Sequence, residues 1–222
     1  MQQLRRSLLG NLGAWGDQQV IEEVRRRFEQ FLQDHKSITP DDQDFILATV
    51  AAHADAATFE QLRSAARSAQ DPSEKRRLYL ALAAVRDPTL AAQVAKLAMS
   101  AEIAPQEAVL RLRLVFGLAA RHPQLAWSVY EDNNTQLFAE FAASAAQLQA
   151  QYVPQVFWSA LPLADLDTWL RGHIPAEFSG QVDHGLERAR VRLAQRERLV
   201  PAADTFVRHT PMRVPSVPAL PR

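Results

Sequence analysis

The 222-residue sequence has no cysteine, only seven glycines and no long apolar run. The lack of cysteine excludes disulfides and thiolate metal ligands. No segment approaches the roughly 18 apolar residues that a membrane-spanning helix needs. Lys and Arg number 25, as do Asp and Glu, so the basic excess typical of nucleic-acid-binding proteins is missing. We therefore expect neither a nucleic-acid partner nor a membrane span, and the scarcity of glycine favours helices.

The two ends of the sequence differ from its middle. The amino terminus lacks the apolar core of a signal peptide, and its leucines have helical spacing with no capping residue ahead of them. We take Met1 to be a cut point inside a longer protein. Residues 201–222 are rich in proline and have few apolar anchors, which predicts an extended, mobile tail. These features leave the cellular compartment undecided.

Five prolines divide the middle of the chain at intervals of 32, 16, 17 and 18 residues: Pro40, Pro72, Pro88, Pro105 and Pro123. Proline is favoured in the first turn of a helix, where its missing N–H needs no partner. Thr39, Asp71 and Asp87 precede three of these prolines and are suitable N-cap residues. The pattern predicts a new helix about every 17 residues, and a helix pair of about 34 residues is the length of an α-solenoid repeat.

The fold that we predict is all-α, an α-solenoid of antiparallel helix pairs in one domain over residues 1–200. No segment alternates polar and apolar residues as a strand would. The predicted first helix ends near Leu12, a short helix after Pro123 ends near Asn133, and the last long helix runs from Ser179 to about Leu199. A segment over 135–150 and a helix near 153–161 lie between the last two.

No catalytic or metal-binding motif is present. The sequence has no H-E-x-x-H, no G-x-S-x-G and no phosphate-binding glycine loop. His173 and His184 lie eleven residues apart with Asp183 and Glu187 nearby, but solvated or locally bonded histidines explain this pattern better than a metal site does. The chain itself is therefore expected to be neither an enzyme nor a metal protein.

Arginines occur at two places that have more than one explanation. Arg111 and Arg113 interrupt an otherwise apolar helix, and they can form a structural salt bridge or bind the carboxylate of a ligand. Arg188, Arg192 and Arg196 share one face of the last helix, as a solvated stripe or as a site for phosphate or carboxylate. Both pairs of alternatives remain open at the level of sequence.

Four segments resemble, in consistent order, the C-terminal helical domain of zinc aminopeptidases of the aminopeptidase N and endoplasmic-reticulum aminopeptidase group. The resemblance as a whole runs from about Leu4 to Leu199. The matching residues are Glu74-Lys75 leading through Leu80, Ala81 and Leu82 to Arg86-Asp87-Pro88; Ile103-Ala104-Pro105-Gln106-Glu107; Gln124-Leu125-Ala126-Trp127 with Asn133; and Leu186-Glu187. Glu107 replaces the Asp that is usual in the second segment.

The resemblance implies a superhelix of HEAT-like or armadillo-like repeats that caps a catalytic domain, encloses its cavity and contacts the distal part of a peptide. It implies a zinc ion in the catalytic domain, whose motifs this chain lacks, so that the chain corresponds to about the last two thirds of the helical domain. The partners would be the catalytic domain of the same polypeptide and a peptide substrate. Trp127, Asn133, Glu74 and Asp87 match motif positions that we interpret as structural.

Peptide contact is assigned to Arg111 and Arg113 on the argument from the residues alone, because neither belongs to a family motif. Two other functions remain as alternatives. A free-standing HEAT-like scaffold would bind a partner protein, and a nucleic-acid-binding solenoid would bind DNA in a salt-dependent way. The reading frame upstream of Met1 separates the aminopeptidase domain from the free-standing scaffold. An H-E-x-x-H segment a few hundred residues earlier would identify an aminopeptidase, and a genuine start codon would identify the scaffold.

Overall fold

The computed structural model describes residues 2–209, and within that range the chain is helical and has no strand. Four short 3₁₀ helices lie between the α-helices, at His35–Ser37, Pro105–Glu107, Ala139–Ser144 and Ala176–Phe178. The α-helices are α1 Gln2–Trp15, α2 Gln18–Gln33, α3 Pro40–Ala52, α4 Ala56–Ser68, α5 Pro72–Leu82, α6 Pro88–Ala98, α7 Ala108–Leu118, α8 Pro123–Phe138, α9 Ala145–Val156, α10 Leu163–His173 and α11 Ser179–His209. The all-α prediction is confirmed.

The predicted helix starts are confirmed at four of the five prolines, since α3, α5, α6 and α8 each begin at one. The Asp71 carboxylate accepts the N–H of Glu74 at 2.8 Å, and the Asp87 carboxylate accepts the N–H groups of Thr89 and Leu90. These bonds satisfy backbone donors that the first turn of a helix leaves without partners. The local signal of capping residue and proline thus determines where the helices begin.

Two of these predictions need correction. Thr39 occupies the N-cap position of α3, but its hydroxyl donates to the Asp42 carboxylate at 3.0 Å and caps no backbone N–H. Pro105 opens a 3₁₀ turn, and the α-helix begins only at Ala108. At Thr39 the Asp42 carboxylate competes with the backbone for the hydroxyl. At Pro105 a 3₁₀ turn precedes the α-helix, as is common at helix N-termini.

By internal contacts the chain divides into two compact units, with the boundary between Gln149 and Ala150. In the first unit α1, α3, α5 and α7 lie side by side in sequence, each contacting the next. The even-numbered helices α2 to α8 pack against this row, so that the unit has two layers. Such alternation is what the predicted stack of helix pairs requires, while the superhelical curvature of the stack stays a prediction.

The odd-numbered layer is closely packed because small residues lie where its helices meet. A Cβ added at Gly13 on α1 would lie 2.7 Å from Thr49 Cγ2 on α3. One added at Gly117 on α7 would lie 2.8 Å from the Cβ of Ala83, directly after α5. Side chains at these positions would push the helices apart. The two glycines thus allow the close approach of α1 to α3 and of α5 to α7.

The predicted helix boundaries between residues 133 and 161 are wrong. The helix expected to end near Asn133 continues as α8 to Phe138, and a 3₁₀ segment follows in which Ala142 has a φ of 44°. That left-handed conformation interrupts the helical path before α9 begins at Ala145. Leu137 and Phe138 are buried, whereas Phe141 and Leu148 are only half-buried.

The second unit is built on α10 and the first half of α11. Its core includes the buried side chains of Val153, Phe157, Leu166, Leu170, Val182 and Leu186. A Cβ added at Gly185 would lie 2.7 Å from the Pro154 ring, so this glycine permits α11 to lie close to α9. Beyond Ala189, the described side chains of α11 are exposed apart from Leu193, which is half-buried.

The predicted end of the last helix at Leu199 is also wrong. Helix α11 continues through Pro201 to His209, so residues 201–209 do not form the extended segment that their composition predicted. Proline inside a helix removes one backbone hydrogen bond but does not have to end the helix. Residues 210–222, which hold the rest of the predicted tail, lie outside the described residues.

Candidate functional site

The two arginines of α7 lie in opposite environments. Arg111 is buried, with 6% of its surface exposed, whereas Arg113 is exposed. Residues two apart on an α-helix point in directions about 200° apart, so one of the two faces the core when the other faces solvent. The helix geometry thus places the two arginines in different environments, and each arginine needs its own explanation.

Arg111 holds the loop between α6 and α7. Its Nη2 donates to the carbonyl oxygen of Ser100 at 3.0 Å and to that of Ile103. Its Nε and Nη1 have no hydrogen-bond partner among the described residues. The predicted salt bridge is wrong for Arg111, since its acceptors are backbone carbonyls. Because its guanidinium lies under this loop, we keep only Arg113 as a candidate for peptide contact.

A carboxylate holds the same loop from its other side. Glu102 accepts a hydrogen bond from Arg63 Nη2 at 2.5 Å and one from the Tyr79 hydroxyl at 3.2 Å. Burial alone would raise the pKa of Glu102, but the bonds and positive charge of Arg63 lower it below its usual range. Burial and the neighbouring carboxylate raise the pKa of Tyr79 to about 12. The loop is thus anchored to α4, α5 and α7.

Arg113 lines a pocket of about 380 Å³ that the helices α3, α5 and α7 form in the odd-numbered layer. Three guanidinium groups line this pocket, from Arg76 and Arg77 on α5 and Arg113 on α7. Asp44 on α3 and Ser73 on α5 supply its other polar side chains. The remaining lining residues, Ala48, Leu80 and Ala81, are apolar. We call this the basic pocket.

The basic pocket has positive charge without a partner. Arg77 donates to the Asp44 carboxylate at 2.8 Å and to the Gln43 side-chain oxygen at 2.6 Å. Arg76 and Arg113 have no hydrogen bond or ion pair with the described residues. Three guanidinium groups against one carboxylate leave two positive charges. A pocket of this composition can bind carboxylate or phosphate oxygens, for which the planar fork of arginine is suited.

Sequence reasoning identified only Arg113 among these five polar residues. Arg76 and Arg77 lie within the Glu74-Lys75 motif, and their charge alone predicts a solvated helix surface. The missing information was that α3, α5 and α7 are neighbours. The proline spacing contained a usable signal, because in a stack of helix pairs every second helix belongs to the same layer.

The residues interpreted as structural motif positions occupy helix starts and the core. Asp87 is the N-cap of α6, and the N–H groups that it accepts lower the pKa of its carboxyl. The Glu74 carboxylate lies 2.5 Å from His35 Nδ1, which links α5 to the 3₁₀ helix after α2. Trp127 is buried against Tyr130, with ring centroids 5.6 Å apart. Asn133 Nδ2 donates to the Val129 carbonyl within α8.

The arginine stripe of α11 differs from the basic pocket. Arg192 Nη1 donates to the Gln155 carbonyl at 2.8 Å, and Arg188 Nη1 lies 3.4 Å from the Gln155 side-chain oxygen. Both arginines thus bond to the last turn of α9, where backbone carbonyls lack helical partners. Arg196 is exposed. The stripe is in part a structural contact within the second unit.

Neither a metal site nor a membrane-spanning helix occurs in the part of the chain that the structure describes. The described side chains include no group of three or more His, Cys, Asp or Glu residues placed to hold a metal ion. His173 stacks on Trp169 with ring centroids 4.0 Å apart, and its Nδ1 lies 2.8 Å from the Trp169 carbonyl oxygen. None of the described helices combines the length and the apolar character that crossing a membrane would require.

Comparison with known protein families agrees with the order of motifs, the all-α architecture and the capped helix starts. Residues 1–191 match the model of the ERAP1-like C-terminal domain. The match includes the first unit, the basic pocket and the buried part of α11, and it stops before the exposed end of that helix. The chain therefore belongs to the ERAP1-like C-terminal domain family, the family of C-terminal domains of aminopeptidases.

Proposed function

We propose that this chain caps the catalytic domain of a zinc aminopeptidase and forms part of the wall around its peptide cavity. Family membership supports the parent enzyme. The basic pocket is the observation that carries the cavity role, because α3, α5 and α7 present a concave, partly charged site in which a peptide can lie. The partners are the catalytic domain of the same polypeptide and the peptide substrate.

The proposed role is binding, and the chemistry takes place elsewhere. Arg113 contacts the part of the peptide distal to the scissile bond, and the apolar residues of the pocket exclude water from that contact. Binding energy from a distant part of a substrate can position its reacting end. A zinc ion in a catalytic domain outside this chain would supply the chemistry, as a Lewis acid that makes a bound water nucleophilic at neutral pH.

The test uses the full-length polypeptide and two substrates of different length. An aminoacyl anilide is too short to reach the proposed wall, whereas a peptide of ten residues can reach it. We expect Arg113→Gln to raise KM for the long peptide several-fold and to leave kcat/KM for the anilide unchanged. A matched control, Arg196→Gln on the exposed part of α11, should change neither value.

Equal effects of Arg113→Gln on both substrates would overturn the wall contact. The aminopeptidase assignment would be overturned if the reading frame upstream of this chain had no H-E-x-x-H and the full-length product had no peptidase activity. The free-standing scaffold would then remain. Chelator-sensitive release of amino acids by the isolated chain would overturn the assignment of the chemistry to another domain.

A further inference from the structure

We propose that the basic pocket selects peptide segments that carry two carboxylates, and this inference rests on the proposed function. Its ligand is either a pair of acidic side chains or one acidic side chain together with the carboxyl terminus of the peptide. The two sources present the same chemistry, which is a pair of carboxylate groups a few ångströms apart. The preference for doubly acidic peptides follows from the charges and bonds of the pocket residues.

The basic pocket has two arginines without an acceptor. Arg77 already has an acceptor in Asp44 and a second in Gln43. Arg76 and Arg113 have none among the described residues, so two forks of N–H donors are unused. A guanidinium group binds a carboxylate with two parallel hydrogen bonds. Two unused arginines therefore match two carboxylates, and a ligand with one carboxylate would leave one arginine without a partner.

The two arginines without an acceptor lie on different helices. Arg76 lies on α5 and Arg113 on α7, and the contact between these helices is maintained by the close approach of Gly117 to Ala83. Packing of the two helices fixes the backbone positions from which the arginines extend, and both side chains are exposed. Because the backbone of the site is formed before the ligand binds, only side chains have to be ordered on binding. The pocket can therefore accept two carboxylates at once, one for each arginine.

The size and the lining of the basic pocket suit a short acidic segment. A volume of about 380 Å³ lies within the range of small-ligand sites, about 300–1,000 Å³. The Ser73 hydroxyl adds a donor and an acceptor, and Leu80 offers an apolar surface for the methylene groups of a glutamate side chain. Asp44 repels the ligand, so its charge limits the affinity of the site.

The experiment titrates the purified 222-residue chain against four fluorescein-labelled nonapeptides, with binding followed by anisotropy at 50 and 300 mM NaCl. One peptide has two adjacent internal glutamates and an amidated end, and one has a single glutamate at a free carboxyl terminus. Their counterparts replace glutamate by glutamine, and the counterpart of the second also has an amidated end. We expect each acidic peptide to bind about tenfold more tightly than its counterpart, with a smaller difference at high salt. The tighter of the two acidic peptides identifies the source of the carboxylates.

Three variants locate the effect. Arg76→Gln and Arg113→Gln should each weaken binding of the tighter acidic peptide about five- to tenfold and leave the glutamine peptides unchanged. Asp44→Asn should strengthen acidic binding about two- to fivefold, because it removes a repelling charge and frees Arg77. Arg196→Gln is the matched control, an exposed arginine outside the pocket, and should have no effect.

The outcomes separate this inference from the proposed function. Equal affinity for acidic and glutamine peptides, with both weakened by Arg113→Gln, overturns the acidic selectivity and leaves the wall contact intact. An acidic preference that Arg196→Gln reduces as much as Arg113→Gln overturns the pocket as its source. No binding of any peptide below millimolar concentration overturns the inference for this chain, whereas the KM comparison in the full-length polypeptide tests the wall contact separately.

Discussion

The two faces of α7 show two different uses of arginine within one turn of helix. On the inner face Arg111 is buried and donates to the carbonyls of Ser100 and Ile103. On the outer face Arg113 is exposed and lines the basic pocket beside arginines of α5. The comparison teaches that the helix phase, and not the residue type, decides whether an arginine holds the fold or is available to a ligand. The predictions below test that separation.

The largest effect is expected for Arg111→Ala. The substitution removes the donors to one buried and one half-buried carbonyl and leaves a cavity, so the free energy of unfolding should fall by about 2–4 kcal/mol. Arg113→Ala should change it by less than about 0.5 kcal/mol, because an exposed side chain without partners is lost. Urea unfolding followed by circular dichroism measures both. Equal losses for the two variants would contradict the assignment of separate roles.

Glu102→Gln tests the second anchor of the same loop. Losing charged hydrogen bonds to Arg63 and Tyr79 should lower the free energy of unfolding by about 1–3 kcal/mol at pH 7. The folded pKa of Glu102 is lowered, so its contribution is complete above the unfolded pKa of about 4.3 and disappears as pH falls through the lower folded value.

The difference between wild type and Glu102→Gln should therefore shrink when urea unfolding is repeated below about pH 4. Glu187→Gln is a suitable control, since Glu187 is exposed and pairs with Arg190 on the surface of α11. That pair should contribute less than about 1 kcal/mol. A difference for Glu102→Gln that grows towards low pH would show that folding raises the pKa of Glu102 instead of lowering it.

Gly117→Ala tests whether the close approach of α5 and α7 supports the pocket. The added methyl would overlap Ala83, and the strain should outweigh the helix propensity gained, for a net loss of about 1–2 kcal/mol. Gly172→Ala on α10 meets nothing within 4 Å and should stabilise by about 0.5–1 kcal/mol. Thermal unfolding compares the two, and stabilisation by Gly117→Ala would disprove the steric role of Gly117.

The smallest effect is expected in the arginine stripe of α11. Arg192→Ala removes an exposed hydrogen bond to the Gln155 carbonyl and should lower the free energy of unfolding by about 0.5–1 kcal/mol. Arg196→Ala should have no measurable effect. Proteolytic cleavage rates within α9 provide a sensitive readout, since loss of the contact should expose its last turn. Identical cleavage of both variants would indicate that the arginine stripe is a solvated surface and not a structural contact.

Local signals predicted the helix starts well and the helix ends poorly. The predicted N-caps Asp71 and Asp87 both form side-chain bonds, because a short carboxylate satisfies backbone donors within three residues. The ends of α8 and α11 were placed too early, near Asn133 and Leu199. Packing of Leu137 and Phe138 extends α8, and no comparable stop signal marks its end.

The candidate site was predictable only in part, because it depends on contacts between helices that are distant in the sequence. Helix spacing already excluded that Arg111 and Arg113 share an environment, but it did not say which of them was buried. Arg76 and Arg77 carried no distinguishing local signal. Their proximity to Arg113 depends on contacts between helices more than thirty residues apart in the chain. Patterns along one helix contain no information about its neighbours.

The sequence by itself determined the all-α class, the starts of α3, α5, α6 and α8, and the membership of the ERAP1-like C-terminal domain family. These depend on interactions within a few residues and on motif order, which the chain records directly. Tertiary structure alone decided that Arg111 is buried under a loop and that Arg76, Arg77 and Arg113 line one pocket. Burial and convergence of charge arise when helices pack, because only packing sets which faces are removed from water.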